Sequence, residues 1–193
     1  MSHYFIEDAS IKPDIKKIHY SFGGHAFIFT TNAGVFSKDH VDHATDILLN
    51  TIPPLAGDLL DLGCGYGCIG IVLAKANAIN LTQADINQAA LDLTKLNCKE
   101  NGVASNIIKS DCFENIHGKF DTIILNPPIH AGKATTFKMY EGAFLHLNAG
   151  GKLYIVTLKK HGAESTQAKL LSIFGNCQPL YKKKGYFVFC CTI

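Results

Sequence analysis

Residues 59–67 read Leu-Leu-Asp-Leu-Gly-Cys-Gly-Tyr-Gly, a short apolar strand that runs directly into three alternate glycines, Gly63, Gly65 and Gly67. Glycines so spaced let a backbone turn tightly and approach a ligand, and the helix expected over 68–78 offers free amide hydrogens at its N-terminus. Strand, glycine loop and helix form the opening unit of a doubly wound α/β sheet, so a nucleotide-like ligand is expected at this turn. The rest of the chain keeps the same rhythm. Strands are predicted over 79–85, 106–109, 122–125 and 153–158. Helices are predicted from the cap Asn87 to Asn101-Gly102 and over 136–147 and 164–174. Strands that alternate with helices and lack a clean in-out period imply a parallel sheet covered on both faces. The end departs from this. Runs 178–181 and 186–192 are separated only by Lys182-Lys183-Lys184-Gly185. That gap is too short for a parallel crossover, so the last strand must be antiparallel, near the edge of a mostly parallel sheet.

At the other end, 19–22 and 26–30 flank Gly23-Gly24 and predict a β-hairpin within an N-terminal extension, 1–32, on a core of 33–193. Ser37 is expected to cap a helix over 38–51 that Pro53-Pro54 ends. The 193 residues suit one domain, and 47% hydrophobic with 18% charged residues suits a globular core. No apolar run approaches the roughly 20 residues that span a bilayer. The N-terminus carries Glu7 and Asp8 where a signal peptide needs a basic start and an apolar core. Seven cysteines, an odd number in apolar contexts without a C-x-x-C pair, read as reduced core thiols. A cytoplasmic protein is expected. His40 and His43 read as a solvated helix face, and no metal site is expected. Net charge is only +2, and all 18 basic residues are Lys, so any phosphate contact is a Lys point charge.

Two cofactors fit the glycine loop. Gly65, Gly67 and Gly70 satisfy G-x-G-x-x-G with Asp85 twenty residues after Gly65, the dinucleotide fingerprint taken literally. The competing pattern, D-x-G-x-G-x-G over 61–67, resembles the first motif of S-adenosylmethionine-dependent methyltransferases of the Rossmann-like class. In those enzymes the acid before the glycines, here Asp61, lies near the amino-acid end of the cofactor. The acid ending the second strand, here Asp85, holds the ribose hydroxyls.

Asn126-Pro127-Pro128, directly after a predicted strand, separates the two readings. A residue before proline is pushed to an extended conformation, so this loop is rigid and sits where doubly wound folds bind ligands. It matches the N-P-P motif of amino-group methyltransferases, which modify exocyclic amines of bases or a glutamine side chain. An aromatic amine is a poor nucleophile because its lone pair is delocalised. The side-chain oxygen of Asn126 and the carbonyl of Pro127 can accept its two N–H bonds and aim the lone pair.

With Ile129-His130-Ala131-Gly132-Lys133 following, the chain from Phe36 onward resembles the small-domain methyltransferase family that includes the small-subunit ribosomal RNA guanine-N2 methyltransferases, whose motif is typically N-P-P-F-H-x-G. Gly34-Val35-Phe36-Ser37 and the tail Gly185-Tyr186 share the resemblance. It implies a Rossmann-like class I methyltransferase that uses S-adenosylmethionine. Phe36, Asp61, Gly63, Cys64, Gly65 and Gly67 would border the cofactor, with Asp85, Ile86, Asp111, Cys112 and Asn126. Asn126, Pro127 and Pro128 would form the catalytic loop. Ile129 stands where the family usually has an aromatic residue, which reduces stacking on the target base. Ile129, His130, Lys133, Lys159 and Lys160 are expected to face the substrate, ribosomal RNA or the small ribosomal subunit. Lys159-Lys160-His161, with Lys133 and Lys138, could form a cationic rim, whereas Lys182-Lys183-Lys184 is expected farther away. The family's longer members carry an additional N-terminal domain for which this length leaves no room, so recognition would rest on the hairpin, the rim and RNA shape. The rival readings are methylation of a translation factor's glutamine and a cofactor-binding RNA adaptor without turnover.

Overall fold

Gly23 and Gly24 turn the N-terminal hairpin with φ of +56° and +80°, the backbone that a tight two-residue turn between twisted strands demands. They join β1 (Lys16–Phe22) to β2 (His25–Thr31), which pair antiparallel in register. The computed structural model describes residues 15–32, 40–127 and 132–193. The expectations placed on Phe36, Ser37, Pro128, Ile129 and His130 lie outside these residues.

Next come α1 (His43–Thr51), β3 (Ala56–Leu62), α2 (Cys68–Ala76), β4 (Ala78–Asp85) and α3 (Gln88–Asn101). They are followed by β5 (Asn106–Lys109), β6 (Phe120–Leu125), α4 (Gly132–His146) and β7 (Leu147–Leu158). A 3-10 turn (Lys159–His161), α5 (Ala163–Phe174), β8 (Gln178–Lys183) and β9 (Tyr186–Thr192) complete the fold. The main sheet has the order β5-β4-β3-β6-β7-β9-β8. Its first five strands are parallel, and β9 runs antiparallel to both β7 and β8. The reversed strand inferred from the four-residue gap is therefore present, one place in from the edge.

Several boundaries differ from expectation for local reasons. Helix α1 begins at His43 rather than at 38, because Asp42 is its cap and accepts from the Thr45 amide at 3.0 Å. Helix α2 stops two residues early at Asn77, which donates to Leu73 O and accepts from the Leu55 amide. Helix α4 starts at Gly132, four residues early. Strand β7 begins at Leu147, ahead of Gly150-Gly151, and absorbs them at a register shift opposite Phe120 and Thr122.

Alternate residues of the central strands enter opposite cores. Ile124, Tyr154, Val156 and Val188 pack towards α1 and α2, while Ile123, Leu125, Leu153 and Ile155 pack towards α4 and α5. Burial on both faces is why these strands show no polar alternation. Ile18, Phe27 and Phe29 of the hairpin join the first core. Among the described residues, no helix is long and apolar enough to cross a membrane. From β3 the chain winds outward through β4 and β5, then returns to β6 on the other side of β3. This reversal opens a crevice at the C-terminal strand ends.

Candidate active site

A cavity of about 550 Å³ occupies that crevice, within the size range of small-molecule sites. One half of its wall comes from the glycine loop, Asp85, Ile86 and Ser110-Asp111-Cys112, at the ends of β3, β4 and β5. The other half comes from the first turn of α1, Asn126 and Pro127 after β6, the end of β7, and Tyr186.

The loop glycines divide by what they face. Gly63 and Gly65 have φ of +74° and +57°, and a side chain at either would meet no protein atom within 4 Å. They leave open space for a ligand to lie against the backbone. A Cβ on Gly67 would come 2.9 Å from Thr94 Cγ2, and one on Gly70 would come 2.7 Å from Gln83 Nε2. These two let the loop and α2 press against their neighbours.

Polar side chains hold the loop from behind. The amides of Gly63 and Cys64 donate to Ala84 O at 2.7 and 3.0 Å. Thr94 Oγ1 donates to Gly65 O, Asn97 Nδ2 to Tyr66 O, and Gln83 Nε2 to Gly67 O, at 2.8, 2.8 and 3.1 Å. Thr94, Asn97 and Gln83 are fully buried. Sequence reading missed all three, although polar residues three apart on a buried helix face are a signal that something must satisfy them.

Asp61 is 1% exposed and lies beneath the loop, not on the cavity wall. Its Oδ2 accepts from the Gly70 amide at 2.9 Å and from Gln83 Nε2 at 3.3 Å. Burial pushes its carboxyl up to about 6 against the opposing pull of those bonds. Asp85 is on the wall. Its Oδ2 accepts from the Gly65 amide and its Oδ1 from the Asn87 amide, each at 2.9 Å, so it braces the loop and holds the amide of Asn87, the cap of α3. Burial raises its carboxyl above the ordinary value, and the amide bonds oppose this.

Across the cavity, Asn126 Nδ2 donates to Thr45 Oγ1 at 3.0 Å. Thr45 is itself fixed through its own amide on Asp42. Spending the NH2 group on α1 orients Asn126 and leaves Oδ1 as the amide's acceptor. The sequence had not pointed to Thr45. His43 and Tyr186 meet edge-to-face on the same wall, ring centroids 5.1 Å apart and planes at 87°.

The expected cationic rim is only partly assembled. Lys133, Lys160 and His161 line the cavity. Lys138 is neutralised by Glu114 at 3.0 Å and Asp111 at 3.9 Å. Lys159 turns to a neighbouring hollow with Lys182, Lys183 and Lys184, so that run is close to the cavity mouth and not far from it. Among the described residues, no group of three His, Cys, Asp or Glu side chains could hold a metal ion.

A dinucleotide-dependent dehydrogenase has no use for an amide locked at the end of β6, and its sheet does not need the reversed β9. The fold is that of the Rossmann-like, S-adenosylmethionine-dependent methyltransferases. More narrowly, the chain belongs to the methyltransferase small domain family, whose family model matches residues 26–190. It is 38% identical over 194 residues to the uncharacterized protein YbxB of Bacillus subtilis, with 96% of each chain covered. It is 39% identical over 132 residues to ribosomal RNA small subunit methyltransferase C of Cronobacter sakazakii, covering 65% of this chain and 39% of that one. The structure of the T. thermophilus 16S rRNA N2 G1207 methyltransferase (RsmC), in complex with AdoMet and guanosine, superposes with a TM-score of 0.83 at 26% identity, covering 92% of this chain. This chain spans 50% of that protein.

Proposed function

We propose that this protein transfers a methyl group from S-adenosylmethionine to an exocyclic amino group, the N2 of guanine in small-subunit ribosomal RNA. The observation that carries the reading is Asn126, held by Thr45 at 3.0 Å with its amide oxygen left to accept, on the wall opposite the glycine loop. The guanosine and AdoMet in the T. thermophilus neighbour, and the name of the Cronobacter relative, support the substrate class. This reading places the protein in the cytoplasm with the ribosomes.

The residues fit the cofactor. The open sides of Gly63 and Gly65 admit a ligand against the backbone. Asp85 keeps carboxylate lone pairs for ribose hydroxyls, and Ile86 and Cys112 offer apolar surface for an adenine. Bound there, S-adenosylmethionine supplies a methyl group made electrophilic by its sulfonium. Asn126 Oδ1 and the Pro127 carbonyl accept the two N–H bonds of the target amine and aim its lone pair. Their dipoles stabilise the positive charge that develops on nitrogen. The displaced proton passes to water at the cavity mouth, so no side chain has to act as a general base. His43 and Tyr186 offer an aromatic wall for the base, in the role Ile129 cannot fill by stacking.

The test uses radiolabelled cofactor, small-subunit ribosomal RNA and the assembled subunit, with nucleoside mass spectrometry to identify the product. Asn126→Ala is expected to lower the maximal rate by about 10²–10³ while S-adenosylhomocysteine affinity stays within a few fold. Thr45→Val, which frees the amide to rotate, should lower the rate in the same direction by less. Full turnover by Asn126→Ala, or a methylated product other than N2-methylguanine, would sink the proposal.

A further inference from the structure

We infer that the Lys159 turn and the β8–β9 hairpin together form a docking face for the RNA backbone, next to the cavity mouth and separate from the groups that hold the base. The inference rests on the RNA reading above. Two chain segments cross side by side from the cavity to a second hollow of about 240 Å³. Lys160 lines the cavity and Lys159 the hollow, while Tyr186 lines the cavity and Gly185 and Lys184 the hollow. The Lys159 amide donates to Gly185 O at 2.7 Å and ties the two crossings together. The topology requires this closeness. β8 runs parallel to the main strands and ends at their C-terminal edge, and β9 leaves that edge beside β7 with Tyr186 paired to Leu158.

Charge at this face is left over. Lys17, Lys95, Lys138 and Lys169 each reach a carboxylate. Among the described residues, Lys159, Lys160, Lys182, Lys183 and Lys184 have no ion pair, as is true also of Lys75, Lys99, Lys109, Lys119, Lys133 and Lys152. What distinguishes this face is that five such lysines stand on two adjoining turns, with Glu164 the sole acid lining the hollow. Lys182 Nζ lies 5.5 Å from the centroid of the Phe187 ring, which steadies one of the cations. A strand that inserts one base beside Asn126 must lay its flanking phosphates outside the mouth, and this is where uncompensated lysines wait. The face accounts for how a chain with a net charge of only +2 can hold a polyanion.

The experiment titrates small-subunit ribosomal RNA at several salt concentrations against the wild type, K182E/K183E and, from the other loop, K159E. Each lost single-strand phosphate contact should lower the slope of log affinity against log salt by about 0.7, and the double variant should bind roughly tenfold more weakly near physiological salt. S-adenosylhomocysteine affinity and the thermal midpoint are expected to stay at wild-type values. Unchanged RNA affinity and slope in folded K182E/K183E and K159E would overturn the docking face while leaving the methylation reading standing. If the wild type binds no RNA, both fall. If polyglutamate of equal charge binds as tightly as RNA, the face takes an acidic protein segment and the inference is wrong.

Discussion

Asp61 combines two properties that oppose each other: it holds the Gly70 amide and Gln83, and it is almost completely withdrawn from water. The hydrogen bonds favour the carboxylate, burial disfavours it, and burial wins. With the carboxyl raised from 3.8 to about 6, the unfolded chain releases its proton first as pH rises, so the native state loses stability across that window. Below it the penalty is absent, and above it the penalty is complete at about 3 kcal/mol. Asp61→Asn keeps an oxygen for Gly70 and Gln83 and removes the titration. The stability difference between Asp61→Asn and wild type, from urea unfolding, should widen in the mutant's favour between pH 4 and 6. A difference that stays constant with pH would mean that Asp61 titrates as an ordinary carboxylate.

The glycine loop shows the same division of labour within one element. Gly65 faces the cavity and Gly67 faces the protein. Gly65→Ala should cost about 1 kcal/mol of stability for its left-handed backbone, but its larger effect should be on S-adenosylhomocysteine affinity measured by calorimetry. Gly67→Ala combines φ of +90° with a contact at 2.9 Å, so its main effect should be on the melting temperature. Equal effects of both variants on both readouts would refute the division. The loop itself was legible because alternate glycines between a strand and a helix permit few backbones. The reversal of β9 was legible because four residues cannot make a parallel crossover. Thr45, Thr94 and Asn97 were not, since each acts on an atom that lies 29 to 81 residues away in sequence. The place of Lys182-Lys183-Lys184 depends on β9 entering between β7 and β8, which local pattern does not encode.

At the scale of the whole molecule, the hairpin and the site are joined through α3. Strand β2 leaves one edge without a partner strand, and two amides fill it. Asn101 exchanges bonds with the Ile28 amide and carbonyl at 3.1 and 2.9 Å, and Asn97 does so with those of Thr30 at 2.7 and 3.0 Å. Four residues on a helix advance about 6 Å and two on a strand slightly more, so the two spacings match. Asn97 also donates to Tyr66 O at 2.8 Å, and one buried side chain therefore bolts both the hairpin and the glycine loop. Asn101 touches the hairpin and α3 without reaching the loop. Asn97→Ala strands buried polar groups on two elements and should cost about 2–4 kcal/mol, with weaker S-adenosylhomocysteine binding even when the protein is fully folded. Asn101→Ala should lose about 1–2 kcal/mol and leave ligand affinity as it was. Urea unfolding and calorimetry on the two variants separate these effects. If Asn97→Ala binds the ligand as tightly as Asn101→Ala does, the hairpin stabilises the fold without reaching the site. If only Asn97→Ala weakens binding, the bond from Asn97 to Tyr66 O is what shapes the glycine loop, and the hairpin's attachment through Asn101 does not reach it.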